Sequence, residues 1–250
     1  MTDGGTAQRV ALVVGGHRGI GGATAARLRD EGLRVVVLDA LSTGEDDDAL
    51  RVDLTDAETT RHAVRGVGER FGRIDVLVLA AGVKVPGTAG SLSLEEWDRT
   101  FAVNVRPLFV CVEAALPFLR RGVEASVVTV ASASAHAEKG ALAYSASKGA
   151  VLSFTRSLAL DLLEEGIRVN AVLPGFTATD MARSLPEELL ERKRRDNVAG
   201  RLGTAEDVAA AICFLVSADA PTVSGTVLDV GHVQGAFVDA RSLSAPPSER

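Results

Sequence analysis

Short apolar runs rich in β-branched residues alternate along this chain with longer stretches whose apolar positions follow a helical period. Residues 9–14 form the first run, and glycines follow at once, which reads as a buried strand. Ala23, Ala26 and Leu28 mark a helix behind the glycines, closed by Gly32, before a second run, 34–38, ends at Asp39. Further runs at 76–79, 126–130, 169–173 and 226–230 are separated by helical patterns over roughly 56–70, 94–120, 144–164 and 205–217. Buried strands alternating with helices predict an α/β fold, a doubly wound parallel sheet with helices on both faces.

Two segments break the alternation. Residues 40–50 are polar and hold Glu45-Asp46-Asp47-Asp48, so a loop rather than a helix is expected there. Residues 176–203 carry helix formers with no following strand, which suits a lid over a site, placed at 179–203. The tail, 236–250, turns to Ser, Pro and charge and is expected to fray or to dock on a neighbouring subunit.

With 250 residues, 46% of them hydrophobic and 24% charged, the chain can bury one large core, and a single domain over 1–250 is expected. No stretch of 18 uninterrupted apolar residues occurs, and the opening Met-Thr-Asp-Gly-Gly lacks the order of a signal peptide. The expectation is a cytoplasmic protein with no membrane partner. A formal charge of −6 disfavours nucleic acid, because polyanion binding needs clustered Lys and Arg. The basic run 192–195 follows Glu187, Glu188 and Glu191 at helical spacing and reads as a solvated helix face. Cys111 and Cys213 stand in apolar stretches without metal-ligand spacing and read as buried thiols, and no residue cluster suggests a metal.

The chemistry begins with Gly15, Gly19 and Gly21, between the first strand and the first helix. A phosphate seat needs positive φ and no Cβ there, and the helix N-terminus behind offers free N–H groups and a positive dipole end. Asp39 lies 20 residues beyond Gly19 at the end of the second strand, where a carboxylate accepts the hydroxyls of an adenosine ribose.

The spacing G-x-x-x-G-x-G over Gly15-Gly16-His17-Arg18-Gly19-Ile20-Gly21 resembles the cofactor loop of the short-chain dehydrogenase/reductase family, with Val14 where a Thr is usual. The resemblance covers nearly the whole chain and implies a Rossmann-type domain. It assigns Asp53 and Leu54, in Val-Asp-Leu, to the adenine, and Ala80, Ala81 and Gly82 to backbone contacts with the cofactor, although Leu79-Ala80-Ala81-Gly82 stands where the family has Asn-Asn-Ala-Gly and lacks both Asn side chains. Asn104 matches an Asn that holds a helix carbonyl and a water in a proton relay. Pro174, Gly175, Thr177 and Thr179 resemble the segment gripping the nicotinamide amide.

Tyr144-Ser145-Ala146-Ser147-Lys148 matches the family's Tyr-x-x-x-Lys pair, and on a helix this spacing puts both side chains on one face. An ammonium near the phenol, with the charge of an oxidised nicotinamide, would lower the Tyr144 pKa and let it exchange the alcohol proton. Ser132 resembles the serine that holds the substrate oxygen. It precedes Tyr144 by 12 residues rather than 13, which keeps Ser134 as an alternative. Of the histidines, His62 reads as surface and His17 as part of the cofactor loop, while His136 and His232 are candidates to reach the substrate.

These residues point to an NAD-dependent oxidoreductase moving a hydride between nicotinamide and a secondary alcohol or ketone. The alternatives are an NADPH-dependent β-ketoacyl-type reductase and a non-catalytic dinucleotide sensor. Local segments, among them 100–105 and 128–132, resemble dihydro-dihydroxybenzoate dehydrogenases, which act on a cyclic diol, whereas the short lid resembles β-ketoacyl carrier-protein reductases. Arg18 stands where NADPH-preferring relatives carry a basic residue, yet Asp39 would face the 2′-phosphate with like charge, so NAD is expected over NADP. The family also implies a homotetramer packed through the helices at 106–120 and 144–164, burying Ala159, Leu160 and Leu163.

Overall fold

Alternate residues of the central strands point to opposite faces, and both faces are apolar. Strand β1 (Val10–Val14) sends Leu12 and Val14 into one hydrophobic cluster and Ala11 and Val13 into another. Only a strand covered on both sides by helices tolerates this pattern. The computed structural model describes residues 8–44, 47–178, 187–195 and 197–231.

Along the chain come α1 (Gly19–Asp30), β2 (Arg34–Asp39), β3 (Ala49–Arg51), α2 (Ala57–Phe71), β4 (Val76–Leu79), α3 (Leu94–Asn104) and α4 (Arg106–Leu119). Then follow β5 (Ser126–Val130), a 3-10 turn (Ala133–Ala135), α5 (Leu142–Asp161), β6 (Arg168–Pro174), α6 (Glu187–Arg195), α7 (Ala205–Val216) and β7 (Val227–Val230). The strands form one seven-stranded sheet in the order β3-β2-β1-β4-β5-β6-β7, with every pair parallel. Residues of α1 and α7, such as Leu28 and Ile212, fill the core on one face; Val64 of α2, Cys111 of α4 and Val151 of α5 fill the other. The strand order reverses between β1 and β4, and the crevice beyond their C-terminal ends is where ligands bind in open sheets of this kind.

Two elements differ from the sequence expectation. The pattern over 94–120 predicts one helix, but α3 ends at Asn104 and α4 starts at Arg106, with Val105 between them at φ −120° and ψ −51°. Pro107 has no N–H to give and its ring would collide with the carbonyl four residues earlier, so the break falls just before it, whereas Pro117 is carried inside α4 near its C-terminal end. Within 94–119 an 18-residue window has a mean hydropathy of 1.5, enough to match a membrane span by length and composition, yet 56% of that window is buried inside the protein. The polar segment 40–50 contains no helix among its described residues, but its end pairs with Val37–Asp39 as the edge strand β3. Three residues are too few to show a period.

Asp75 pins the opposite, N-terminal end of the sheet. It is fully buried, its carboxylate accepts the backbone N–H groups of Val10 at 2.6 Å and Val123 at 2.5 Å, and Arg73 Nε lies 3.1 Å away. Its own N–H donates to Val10 and its carbonyl accepts from Ser126, so one residue ties β1, β4 and β5 together. Both cysteines are buried, and burial first of all pushes each thiol up to about 12, which keeps them unreactive.

Candidate active site

The glycine loop leaves β1 where β4 also ends. Gly15 has φ +79°, and a Cβ on it would fall 2.5 Å from the Ala81 backbone; a Cβ on Gly21 would fall 2.1 Å from the Gly15 carbonyl oxygen. Gly19, at φ +57°, has nothing within 4 Å of where its Cβ would stand. The loop is therefore packed tight on the protein side and open on the other, at the N-terminus of α1, which begins at Gly19 with Ile20 half-buried behind it. No side chain caps this helix end, so its N–H groups suit an anion.

Asp39 closes the crevice from β2. One carboxylate oxygen accepts the His17 N–H at 3.1 Å and the other accepts the Leu41 N–H at 2.9 Å, which holds the group against the glycine loop. Arg18 is exposed and forms no ion pair among the described residues. Of the acidic loop, Glu45 and Asp46 lie outside the described residues; Asp48 pairs with Arg34 at 2.6 Å and Arg70 at 3.2 Å, so its charge is compensated rather than added to that of Asp39. Asp53 is exposed and accepts from both the N–H and the hydroxyl of Thr55, while Leu54 is buried beneath it.

Past β4, Ala80 donates its N–H to the Val14 carbonyl, and Gly82 opens onto the catalytic candidates: a Cβ there would lie 3.3 Å from Lys148 Nζ and 3.5 Å from Asn104 Oδ1. Asn104, the last residue of α3, is buried; its Oδ1 accepts the Val83 N–H, and its Nδ2 donates to the Val83 carbonyl and to Ser147 Oγ. The amide grips the β4 loop and the neighbour of Lys148 rather than a helix carbonyl, because the α3–α4 break turns it toward that loop.

Tyr144 and Lys148 share one face of α5. Lys148 is buried and donates to the Val130 carbonyl at 2.7 Å, its ammonium lies 5.9 Å from the Tyr144 ring centroid, and no carboxylate pairs with it among the described residues. Burial draws its pKa down to about 8. The Tyr144 phenol is not lowered in the protein itself: burial pushes its pKa up, Ser132 opposes this, and the Glu138 charge adds to the rise. Ser132 follows β5, and of the two serines it is the one that acts on the Tyr144 phenol. Ser134 instead donates to Glu138, and its backbone N–H donates to Ser132 Oγ.

From β6, Pro174 pairs with Val230 and Gly175 donates to the Val230 carbonyl. Thr177 forms an isolated parallel bridge with Gly203, and Ala178 donates to the Gly203 carbonyl at 2.7 Å, so the segment expected as a lid leaves and re-enters the domain at one point. Thr179, His232 and the tail 236–250 lie outside the described residues. His136 is exposed two residues beyond Ser134, and His62 is on the surface. No group of three or more His, Cys, Asp or Glu at metal-binding separation occurs among the described residues.

The family model described as enoyl-(acyl carrier protein) reductase matches residues 14–232. A short-chain reductase, NovJ, from Streptomyces niveus is 34% identical, covering 91% of this chain and 93% of its own. The chain is a short-chain dehydrogenase/reductase. This short-chain dehydrogenase/reductase is thus an oxidoreductase of a nicotinamide-dinucleotide-dependent family. It is also 31% identical to the 2,5-dichloro-2,5-cyclohexadiene-1,4-diol dehydrogenase LinX of Sphingobium indicum, over 90% of this chain and 95% of that one. The structure of a 3-ketoacyl-(acyl-carrier-protein) reductase from Brucella melitensis complexed with NADH superposes with a TM-score of 0.79 at 31% identity, covering 88% of this chain and 96% of that one.

Sequence reasoning about this short-chain dehydrogenase/reductase missed Lys84 and Glu138, which pair at 2.5 Å beside Tyr144. Both fall in loops that the motifs border, but 54 residues separate them, and nothing in a linear pattern joins them.

Proposed function

We propose that the protein is an NAD-dependent dehydrogenase acting on a secondary alcohol or its ketone, with cyclic diols as the substrate class to test first. One observation carries the reading: a buried Lys148, which meets no carboxylate among the described residues, stands one helical turn from Tyr144, 5.9 Å from its ring centroid, and beside Gly82. In this reading Tyr144 Oη takes the proton of the substrate hydroxyl, Ser132 holds the substrate oxygen, and Lys148 favours the phenolate that must form. Asn104 keeps the Val83 loop and Ser147 in register beside Lys148.

The residues present fit the dinucleotide. The crevice that a Cβ at Gly15, Gly19 or Gly21 would strain or fill would seat its pyrophosphate. Asp39 would take the ribose hydroxyls, Asp53 and Leu54 the adenine, and Ala80, Ala81, Gly82, Pro174, Gly175, Thr177 and Thr179 the nicotinamide half, with Tyr144 and Lys148 reaching its ribose. When bound, the dinucleotide supplies the hydride acceptor and a positive charge that favours the Tyr144 phenolate. A fixed carboxylate at Asp39 favours NAD over NADP. Arg18, exposed and without an ion pair among the described residues, supports the second reading, an NADPH-dependent reductase of ketoacyl thioesters.

Leu160 and Leu163, 75% and 65% exposed on α5, and Phe109, 63% exposed on α4, support self-association through these helices as a homotetramer. Ala159 does not belong to that face, since it is already buried within the chain. The test of function is turnover of cyclic alcohols, sugars, steroids and ketoacyl thioesters with each nucleotide. No turnover of any of these with either nucleotide would overturn the proposal in favour of a binding protein.

A further inference from the structure

Beside Tyr144 sit three side chains that the proposed mechanism does not use. Lys84 lies in the loop after β4, with its ammonium 5.4 Å from the Tyr144 ring centroid and 2.5 Å from Glu138. Glu138, in the loop between the 3-10 turn and α5, also accepts the Ser134 hydroxyl. Ser134 in turn lies 3.2 Å from Ser132 Oγ through both its hydroxyl and its backbone N–H, and Ser132 is near enough to the Tyr144 phenol to work against the rise in its pKa. A chain of hydrogen bonds therefore runs from the rim of the site through Glu138 and Ser134 to Ser132, beside the phenol that exchanges the proton.

We propose that the Lys84–Glu138 ion pair positions Ser134 and Ser132 and sets the pH at which Tyr144 gives and takes its proton. The proposal rests on Tyr144 being the proton carrier. An anion near a phenol favours the protonated form and a cation favours the phenolate. The charges facing Tyr144 are Lys84 from the β4 loop, Glu138 from the loop before α5 and Lys148 from α5 itself; Lys193 of α6 acts on Glu138 from the lid side, and His136 and Lys139 flank Glu138 in its own loop. Partial burial works to raise the Glu138 carboxyl, but Lys84, Ser134 and Lys193 outweigh it and hold the group below the usual range. Glu138 is therefore an anion throughout the pH range in which Tyr144 works. Opposed by Lys84, its charge is nearly cancelled at Tyr144, which leaves the phenol to Lys148 and the dinucleotide.

The signs follow directly. Glu138→Gln removes the anion and leaves Lys84 unopposed, so the rising limb of alcohol oxidation moves to lower pH. Lys84→Met leaves the anion unopposed and moves the limb to higher pH. Each side chain of the pair is 35% exposed, so screening limits each shift to roughly 0.5–1 pH unit.

The experiment is the pH profile of kcat/KM for oxidation of the best alcohol found for the enzyme, in the unmodified protein, Glu138→Gln, Lys84→Met and the double variant. The expected result is opposite shifts in the two single variants and a limb within about 0.3 units of the unmodified enzyme in the double. Limbs that stay within about 0.2 units in both single variants, or move in the same direction, overturn the proposal, because a structural role alone lowers activity without moving the limb in opposite senses. Turnover persisting in Tyr144→Phe would overturn the assignment of the proton carrier instead, so the two failures are distinguishable.

Discussion

Asp75 and Lys148 are both ionisable, both buried and both at an end of the same sheet, yet they are treated in opposite ways. At the N-terminal end of the strands Asp75 receives two backbone N–H groups and an arginine. At the C-terminal end Lys148 gives one hydrogen bond to a carbonyl and meets no carboxylate among the described residues. A buried charge with its partners in place is part of the scaffold; one held without an opposite charge is destabilising alone and is useful only when a reaction brings negative charge to it. The fold thus places its satisfied ion where strands are tied together and its unsatisfied one where the sheet opens.

Exchanging the two effects is the sharpest way to break this contrast. Lys148→Met should cost turnover at least about 100-fold, the usual scale for a group that supports proton transfer, without lowering the melting temperature. Tyr144→Phe should be as severe in turnover while dinucleotide affinity stays within a few-fold, because the ring remains and only the proton is lost. Retention of more than about a tenth of kcat in either variant would place the proton chemistry elsewhere.

Asp75→Ala should do the reverse. It takes the acceptor from the buried Val10 N–H and the half-buried Val123 N–H and removes the ion pair of Arg73, so roughly 3 kcal/mol of stability should be lost in urea titration, with kcat per folded molecule unchanged. A stable but inactive Asp75→Ala would mean that the two ends of the sheet are not separable.

The same contrast predicts a dependence on pH. The folded Lys148 pKa is drawn below its ordinary 10.5 to about 8, so between these values the unfolded chain binds more protons than the native one, and stability rises with pH. The destabilisation is fully present below about 8 and is relieved as pH approaches the unfolded value. It amounts to roughly 3 kcal/mol. Relative to Lys148→Met, the unmodified protein without dinucleotide should therefore gain stability between pH 8 and pH 10; parallel curves for the two proteins would refute this.

Asp39 is an intermediate case, a carboxylate fixed by two N–H groups but open to a ligand. We expect NAD over NADP by at least about tenfold in kcat/KM, close to 1.4 kcal/mol, and Asp39→Ala should shrink or reverse the ratio. Equal use of both nucleotides by the unmodified protein would show that Arg18 decides instead.

What the sequence made legible was local. Strand runs, the glycine loop and the Tyr144–Lys148 spacing are each contained in a few consecutive residues, and their physics is that of one strand, one turn or one helix. Asp75 escaped notice because, in sequence, it is one acidic residue before an apolar run; its meaning comes from Val10 and Val123, which are distant in the chain. The helix break at Val105 was written in Pro107 but hidden by an unbroken apolar period. The choice between Ser132 and Ser134 turned on a one-residue difference in loop length, and only the fold shows Ser134 turned toward Glu138.

The bridge between Thr177 and Gly203 has a consequence for how such a protein diversifies. Because the two strands of chain are clasped there, the intervening two dozen residues form an insert whose ends are already fixed in space. Length and sequence within it can be exchanged like a cassette, with little added closure entropy and without disturbing the sheet.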